Sequence, residues 1–341
     1  MILPFEMVFE DQTKLGTKVQ TSEYRETGAH IIVDQGQEQI AGYTDREEGI
    51  FTAVPAIIFG DHTRIIKYVD QPFFLGADGV KVLRCKMAHA NYRYLYYALR
   101  HARIPDTGYN RHYKWLKEID IEYPDASRQE EIVTILDGVY NIIAERQRQL
   151  RILEHLIKAR FVEMFGDPIT NSKGFETRPG IEVFKLSNGK FVPENKRFEV
   201  GIPVYGGNGI SWYTDEILCA NDTVVVGRVG FQSGNVHLVE GPLWISDNAM
   251  YISDLVDDQY DLRFIYAVMD HIDFTRFQDA GDLKKITQKP FMQMQYIKPP
   301  LHIQHEYVAF VSQVDKSKLS IQASLDQLET LKQSLMQKYF G

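Results

Sequence analysis

Only two cysteines, Cys85 and Cys219, occur in 341 residues. They are too few for a disulfide framework and lack metal-ligand spacing, which excludes a cross-linked secreted scaffold and a cysteine-held zinc site. No apolar run approaches the roughly 20 residues of a membrane span. Pro4 and Glu6 interrupt the start "MILPFEMVFED", where a signal peptide needs an unbroken apolar stretch. A cytoplasmic protein without a membrane partner is expected. Catalytic signatures are missing as well. There is no Gly-x-x-x-x-Gly-Lys-Ser/Thr phosphate loop, no Asn/Asp-Pro-Pro-Tyr/Phe motif of a base-methylating site, and no Pro-Asp followed at nuclease spacing by Glu-x-Lys. No Ser/His/Asp or Cys/His arrangement stands out. His302 and His305 read as solvated residues of a helix's first turn, and Asp257, Asp258 and Asp261 as a solvated turn before a helix. No catalytic, cofactor or metal site is expected on this chain.

Positive charge is also in short supply, with a net charge of −8. Residues 1–125 hold 15 Lys+Arg against 18 Asp+Glu, and residues 166–300 hold 13 against 18. The segments between and after them are neutral. Phosphate contacts need cations, so this balance by itself counts against nucleic-acid binding. It leaves room for a local basic face.

What the chain does have is a repeat. Shifted by 175 positions, Gln129 falls on Gln304, Glu131 on Glu306 and Val133 on Val308. Leu150, Leu153 and Leu156 fall on Leu325, Leu328 and Leu331, and Phe165-Gly166 falls on Phe340-Gly341. Two unrelated amphipathic helices would share leucines, but not the Gln-x-Glu start and the Phe-Gly stop. Upstream the match continues with small gaps: "GYTD" (Gly42 to Asp45) faces "WYTD" (Trp212 to Asp215), and "IIFGDHTR" (Ile57 to Arg64) faces "VVVGRVG" (Val224 to Gly230). "YLYYAL" (Tyr94 to Leu99) faces "FIYAVM" (Phe264 to Met269). The chain therefore divides into globular copy one (1–125), a long helix (126–166), globular copy two (167–300) and a second long helix (301–341).

Each helix carries a seven-residue apolar spacing, through Leu136, Ile143, Leu150 and Ile157 in the first and Val314, Ile321, Leu328 and Leu335 in the second. A second track, broken by Arg146 and Arg160 in one helix and by Lys318 and Lys332 in the other, completes a coiled-coil seam. Forty helical residues span roughly 60 Å, more than packing on one small domain needs. An antiparallel pair within one chain, with the two copies at opposite ends and a pseudo-twofold axis, is the arrangement expected.

The globular copies read as α+β. Short β-like runs such as "HIIVDQ", "AIIFGD", "TVVVGRVG" and "AMYISD" alternate with turn signals, and a helical stretch follows in each copy, Tyr92 to His101 and Leu262 to Asp270. Copy one has little lead-in, which would shorten its first strand. Polar residues gather at matched loops. His62, Thr63 and Arg64 follow the Gly60-Asp61 turn, and Arg228 follows Gly227. Asn110, Arg111, His112 and Lys114 precede the last strand of copy one, and Lys284, Lys285, Thr287, Gln288 and Lys289 hold that place in copy two. Asn208 sits in the Gly207-Asn208-Gly209 turn. Arg, Lys, Asn and Gln read base edges and phosphates, and their recurrence in both copies makes these loops the candidate DNA-binding residues.

The stretch "IEYPDASRQEEIVTILDGVYNIIAERQRQLRILEHLIKARFVEMFGDP", and its second occurrence "IKPPLHIQHEYVAFVSQVDKSKLSIQASLDQLETLKQSLMQKYFG", resemble the conserved helices of type I restriction–modification specificity subunits. The Pro-x-x-x-x-Gln-x-Glu start and the leucine heptads carry the likeness. It implies two target-recognition domains, each reading one half of a bipartite DNA sequence. It also implies spacer helices that dock two methyltransferase subunits, which restriction subunits can join. S-adenosylmethionine and ATP would then bind those partner subunits. No base contact carries over from the resemblance. A self-contained restriction or modification enzyme is the rival reading, as is a coiled-coil scaffold whose β domains bind protein or carbohydrate.

Overall fold

The computed structural model describes residues 1–341 apart from Ala77, Tyr109, Asp282 and Leu283. It falls into two compact units. Unit 1 comprises Met1–Gln147 and Gln322–Gly341, and unit 2 comprises Arg148–Ile321. Each unit thus takes one half of each long helix, rather than ending where a helix begins.

Unit 1 opens with β1 (Ile2–Pro4), a one-turn helix α1 (Phe5–Val8) and β2 (Phe9–Asp11). Then come β3 (His30–Val33), β4 (Gly42–Thr44), β5 (Ala56–Gly60), β6 (Ile66–Val69), β7 (Phe73–Leu75) and β8 (Val80–Cys85). Two short helices, α2 (Tyr92–His101) and α3 (Tyr113–Leu116), precede β9 (Asp120–Glu122) and the long α4 (Ala126–Phe165). The second pass repeats this order. It runs β10 (Glu176–Pro179), α5 (Gly180–Val183), β11 (Phe184–Asn188), β12 (Ile202–Gly206), β13 (Gly209–Thr214) and β14 (Thr223–Gly227). It closes with β15 (Val236–Val239), β16 (Trp244–Ile245), β17 (Ala249–Leu255), α6 (Leu262–Asp270), α7 (Lys289–Gln293), β18 (Gln295–Lys298) and α8 (Leu301–Phe340).

The sheets agree strand for strand. A four-stranded antiparallel sheet, β2-β8-β5-β6, has its counterpart in β11-β17-β14-β15. A three-stranded sheet, β4-β3-β7, matches β13-β12-β16, and in both the last pair is parallel. The pair β1-β9 matches β10-β18, with three residues in β1 against four in β10. The strands β5 and β14 are buried along their whole length, which their Ile, Val and Phe content allows and their position between two neighbours requires.

The helix after each four-stranded sheet starts on a side-chain cap. Asn91 accepts from the N–H groups of Arg93 and Tyr94, and Asp261 from those of Arg263 and Phe264. α2 buries Tyr94, Leu95, Tyr97 and Leu99, and α6 buries Phe264, Ile265, Val268 and Met269. Fully burying one such side chain contributes about 1.5–3 kcal/mol.

The repeated glutamine is explained by what it holds. Gln129, 2% exposed, donates from Nε2 to Pro124 O at 2.9 Å and accepts at Oε1 from Asn91 N–H at 3.3 Å. Gln304, fully buried, donates to Pro299 O at 2.8 Å and Gln259 O at 2.9 Å, and accepts from Asp261 N–H at 2.9 Å. In each unit one amide side chain ties the start of a long helix to the capping residue of the shorter one.

Within each unit the long helices run antiparallel. In unit 1 the Arg128 guanidinium lies 5.4 Å from the Tyr339 ring, and Lys332 lies 5.5 Å from the Tyr140 ring. In unit 2 Arg160 pairs with Glu306 at 2.9 Å and Lys318 with Glu154 at 3.9 Å. Three of the residues that interrupt the apolar seam therefore find partners across it. Leu136, Ile143 and Val314 are buried, while Leu150, Ile157, Ile321, Leu328 and Leu335 are half-buried. Two helices alone cover only part of each seam side chain. The Phe-Gly endings close each pass. Phe165 is buried against Phe264 at 4.8 Å between ring centres, and Phe340 stands 5.4 Å from Tyr94. Gly166 then turns the chain at φ +70°, with its N–H on Val162 O at 2.8 Å. No helix among the described residues is long and apolar enough to cross a membrane.

Candidate nucleic-acid interface

In unit 1 the turn between β5 and β6 is fastened to two other loops. A Cβ at Gly60 would stand 2.2 Å from Thr63 Oγ1 and 2.9 Å from Gln35 Cβ, so only glycine permits the approach. Asp61 is buried. Its N–H donates to Gly79 O at 2.6 Å, its carboxylate accepts from Tyr113 N–H at 2.7 Å, and its carbonyl accepts from His112 N–H at 2.7 Å. Gln35 accepts from His62 N–H at Oε1, 3.1 Å, and from Thr63 Oγ1 at its carbonyl, 2.7 Å. The His62 ring lies 3.2 Å from Asn110 O. The two candidate loops of copy one, far apart in sequence, are one laced surface.

Arg64 takes a left-handed backbone, φ 60°, and its guanidinium pairs with Asp106 at 2.6 Å and donates to Ile104 O at 3.4 Å. The Gly108 N–H and then the Arg64 charge hold the Asp106 carboxyl below the usual range. Thr63, Asn110, Arg111 and Lys114 are exposed, with the Lys114 ammonium 4.8 Å from the Trp115 ring. His112 differs from its sequence reading as a DNA contact. It is 1% exposed, with Nδ1 3.0 Å from Asp61 O and Nε2 3.3 Å from Thr107 Oγ1. Both ring nitrogens are engaged inside the protein, and the imidazole fastens the loop instead of facing solvent.

Unit 2 builds the same corner with different residues. Arg228 N–H donates to Asn248 O at 2.9 Å, and its side chain reaches Asp247 O at 3.4 Å. The turn after β14 bridges to the segment before α7. Gly230 N–H donates to Lys284 O at 2.8 Å, Ile286 N–H to Arg228 O at 3.0 Å, and Val229 pairs with Lys285. A Cβ at Gly227 would lie 2.6 Å from Gly207 O, so the Asn208 turn also packs here. Asn208 and Lys285 are exposed, Arg228 and Lys284 half-exposed. Gln288 is held by Asn188, its Nε2 donating at 3.2 Å.

The structure thus brings together all twelve candidate residues as two clusters, and six of the residues are exposed to solvent: Thr63, Asn110, Arg111, Lys114, Asn208 and Lys285. Sequence reasoning missed the supports Gln35, Asp61, Asp106 and Asn188, because nothing local marks a loop residue whose partner lies tens of positions away. Three of the five histidine and aspartate candidates set aside earlier have structural roles. Asp257 pairs with Lys298 at 2.6 Å, Asp261 caps α6, and His305 lies 3.7 Å from Asp261. Cationic and amide donors that suit phosphates and base edges stand in both clusters.

Comparison with known proteins agrees with this layout. The profile of the type I restriction modification DNA specificity domain matches residues 9–154 and again residues 172–330. The specificity subunit of a type I restriction enzyme from Escherichia coli is 30% identical over 157 residues, 42% of this chain and 38% of that subunit. A putative type I specificity subunit of Mycoplasma genitalium is 21% identical over 328 residues, 88% of this chain and 84% of the relative. The crystal structure of a type I restriction–modification S subunit from M. genitalium superposes with a TM-score of 0.70 at 17% identity, covering 100% of this chain and 96% of the other. A chain from a structure concerned with assembly and conformational transition of a type I system gives 0.54 at 16%, covering 99% and 95%. With two domain matches spanning most of its length, and with that fold, the chain belongs to the type I restriction–modification DNA specificity family.

Proposed function

We propose that this chain is the non-catalytic DNA-recognition subunit of a type I restriction–modification assembly, in which each unit reads one half of a bipartite duplex target. The observation that supports this best is the repeated corner: in both units the turn after the buried central strand is laced to the segment before the last strand, and both carry cationic and amide side chains. Such groups supply phosphate positioning and base readout. The two long helices offer equivalent surfaces to two methyltransferase subunits, as a twofold-like DNA complex requires. Restriction subunits join through those partners. S-adenosylmethionine and ATP bind the partner subunits, in the cytoplasm.

Half-sites of about 3–4 base pairs read from one DNA face stand nearly one turn apart, which leaves an unread spacer of roughly 5–7 base pairs. The test is methylation sequencing of DNA from cells holding the partner methyltransferase with and without this chain. One split motif should be modified only when the chain is present. Modification of the same motif without the chain, or by the purified chain alone, would refute the reading.

A further inference from the structure

The turn between β14 and β15 carries Phe231, which is 90% exposed. Its backbone is well held. The Gln278 amide donates to Phe231 O at 3.2 Å and to Ser233 O at 2.6 Å, Gly230 N–H binds Lys284 O at 2.8 Å, and Ser233 N–H binds Gly230 O at 3.0 Å. Glycines at φ +92° (Gly230) and φ +98° (Gly234) set the turn on either side. Among the described residues the ring makes no ring–ring or cation–ring pair. A fixed backbone thus presents an apolar ring to water, beside Arg228, Lys284 and Lys285. Cations draw a phosphate backbone toward this turn, and the ring has nothing of the protein to cover it.

We infer that Phe231 is a wedge that stacks on or between base pairs of the half-site read by unit 2. The inference rests on the DNA-recognition reading above. Apolar wedges inserted at base steps unstack and kink a duplex, and aromatic side chains gain by stacking on bases. The corner of unit 1 is built otherwise. Five residues separate β5 from β6, against eight between β14 and β15, and those five, Asp61 to Ile65, include no Phe, Tyr or Trp. The β5–β6 turn therefore offers no counterpart of Phe231, and the wedge acts on the half-site read by unit 2.

The experiment uses the complex of the full chain with its methyltransferase subunit, and duplexes of the motif found by methylation sequencing. 2-Aminopurine is placed singly along both half-sites. With the native chain, binding should raise the fluorescence at a step in the unit 2 half-site. Phe231→Ala should abolish that rise and weaken binding roughly 5- to 150-fold, the range of a lost base–aromatic stack. Phe231→Trp should restore both, and steps in the unit 1 half-site should not respond to either change. An unchanged signal and affinity in Phe231→Ala would overturn the wedge and leave the recognition reading standing. Loss of methyltransferase assembly with full DNA affinity would make Phe231 a protein contact and overturn it too. A native complex that binds motif and scrambled duplex equally would overturn the recognition reading and the wedge together.

Discussion

Gln304 shows how much a single side chain can decide. Its amide satisfies two carbonyls and the N–H of the residue that caps α6, all within the protein. Gln304→Met keeps the volume but strands those groups, at a cost of about 1–3 kcal/mol. Urea unfolding should show this loss, while the sequence of the methylated motif stays the same, since the residue positions a helix and touches no DNA. Unaltered stability would mean that the glutamine is kept for something other than its hydrogen bonds. Gly138 is the opposite case. It sits inside α4, exposed, and a Cβ there would meet nothing within 4 Å. Gly138→Ala should stabilise the chain by roughly 0.4–1 kcal/mol through the helix and the unfolded chain alike. If melting shows no gain but assembly with the methyltransferase subunit fails, the open space over Gly138 is where the partner's backbone approaches.

Among the elements, the long helices were the most legible. Their seven-residue spacing, their Gln-x-Glu starts and their Phe-Gly stops are local signals, and α4 and α8 cover the expected segments. The short strands were legible as a class but not as sheets. Nothing in "HIIV" or "FFL" announces that β3 and β7 lie parallel, because that pairing joins residues 42 positions apart, Ile31 with Phe73. The helices also carry the spacing proposal. Inserting seven residues after Gln147 and seven after Ile321 preserves the seam in both helices and adds about 10 Å, near three base pairs of rise. Methylation sequencing should then return the same half-sites with a longer spacer. Turnover should be slower, because three extra base pairs also rotate the DNA by roughly 100°. An active variant that keeps the original spacer would reduce the helices to docking surface alone. Two-residue insertions at the same points should break the seam and the assembly.

For the molecule as a whole, the repeat was the most informative feature of the sequence, and it needed no structure to find. A gap-free shift of 175 positions identified both helices, and the weaker upstream matches fall on β4 and β13, β5 and β14, α2 and α6. The candidate site was half legible. Matched polar loops pointed to residues that the fold gathers at one corner of each unit, but His112 turned out to be a buried fastener and Arg64 the partner of Asp106. Composition cannot separate a solvent-facing histidine from one whose ring nitrogens are both engaged, and a net charge of −8 conceals where the exposed cations stand. The central claim is that two separable readers share one chain. Its most direct test replaces residues 1–125 with the corresponding segment of a related subunit of different specificity, and sequences the methylated DNA. One half of the motif should change while the other half and the spacer stay as they were. A change in both halves, or in neither, would contradict it.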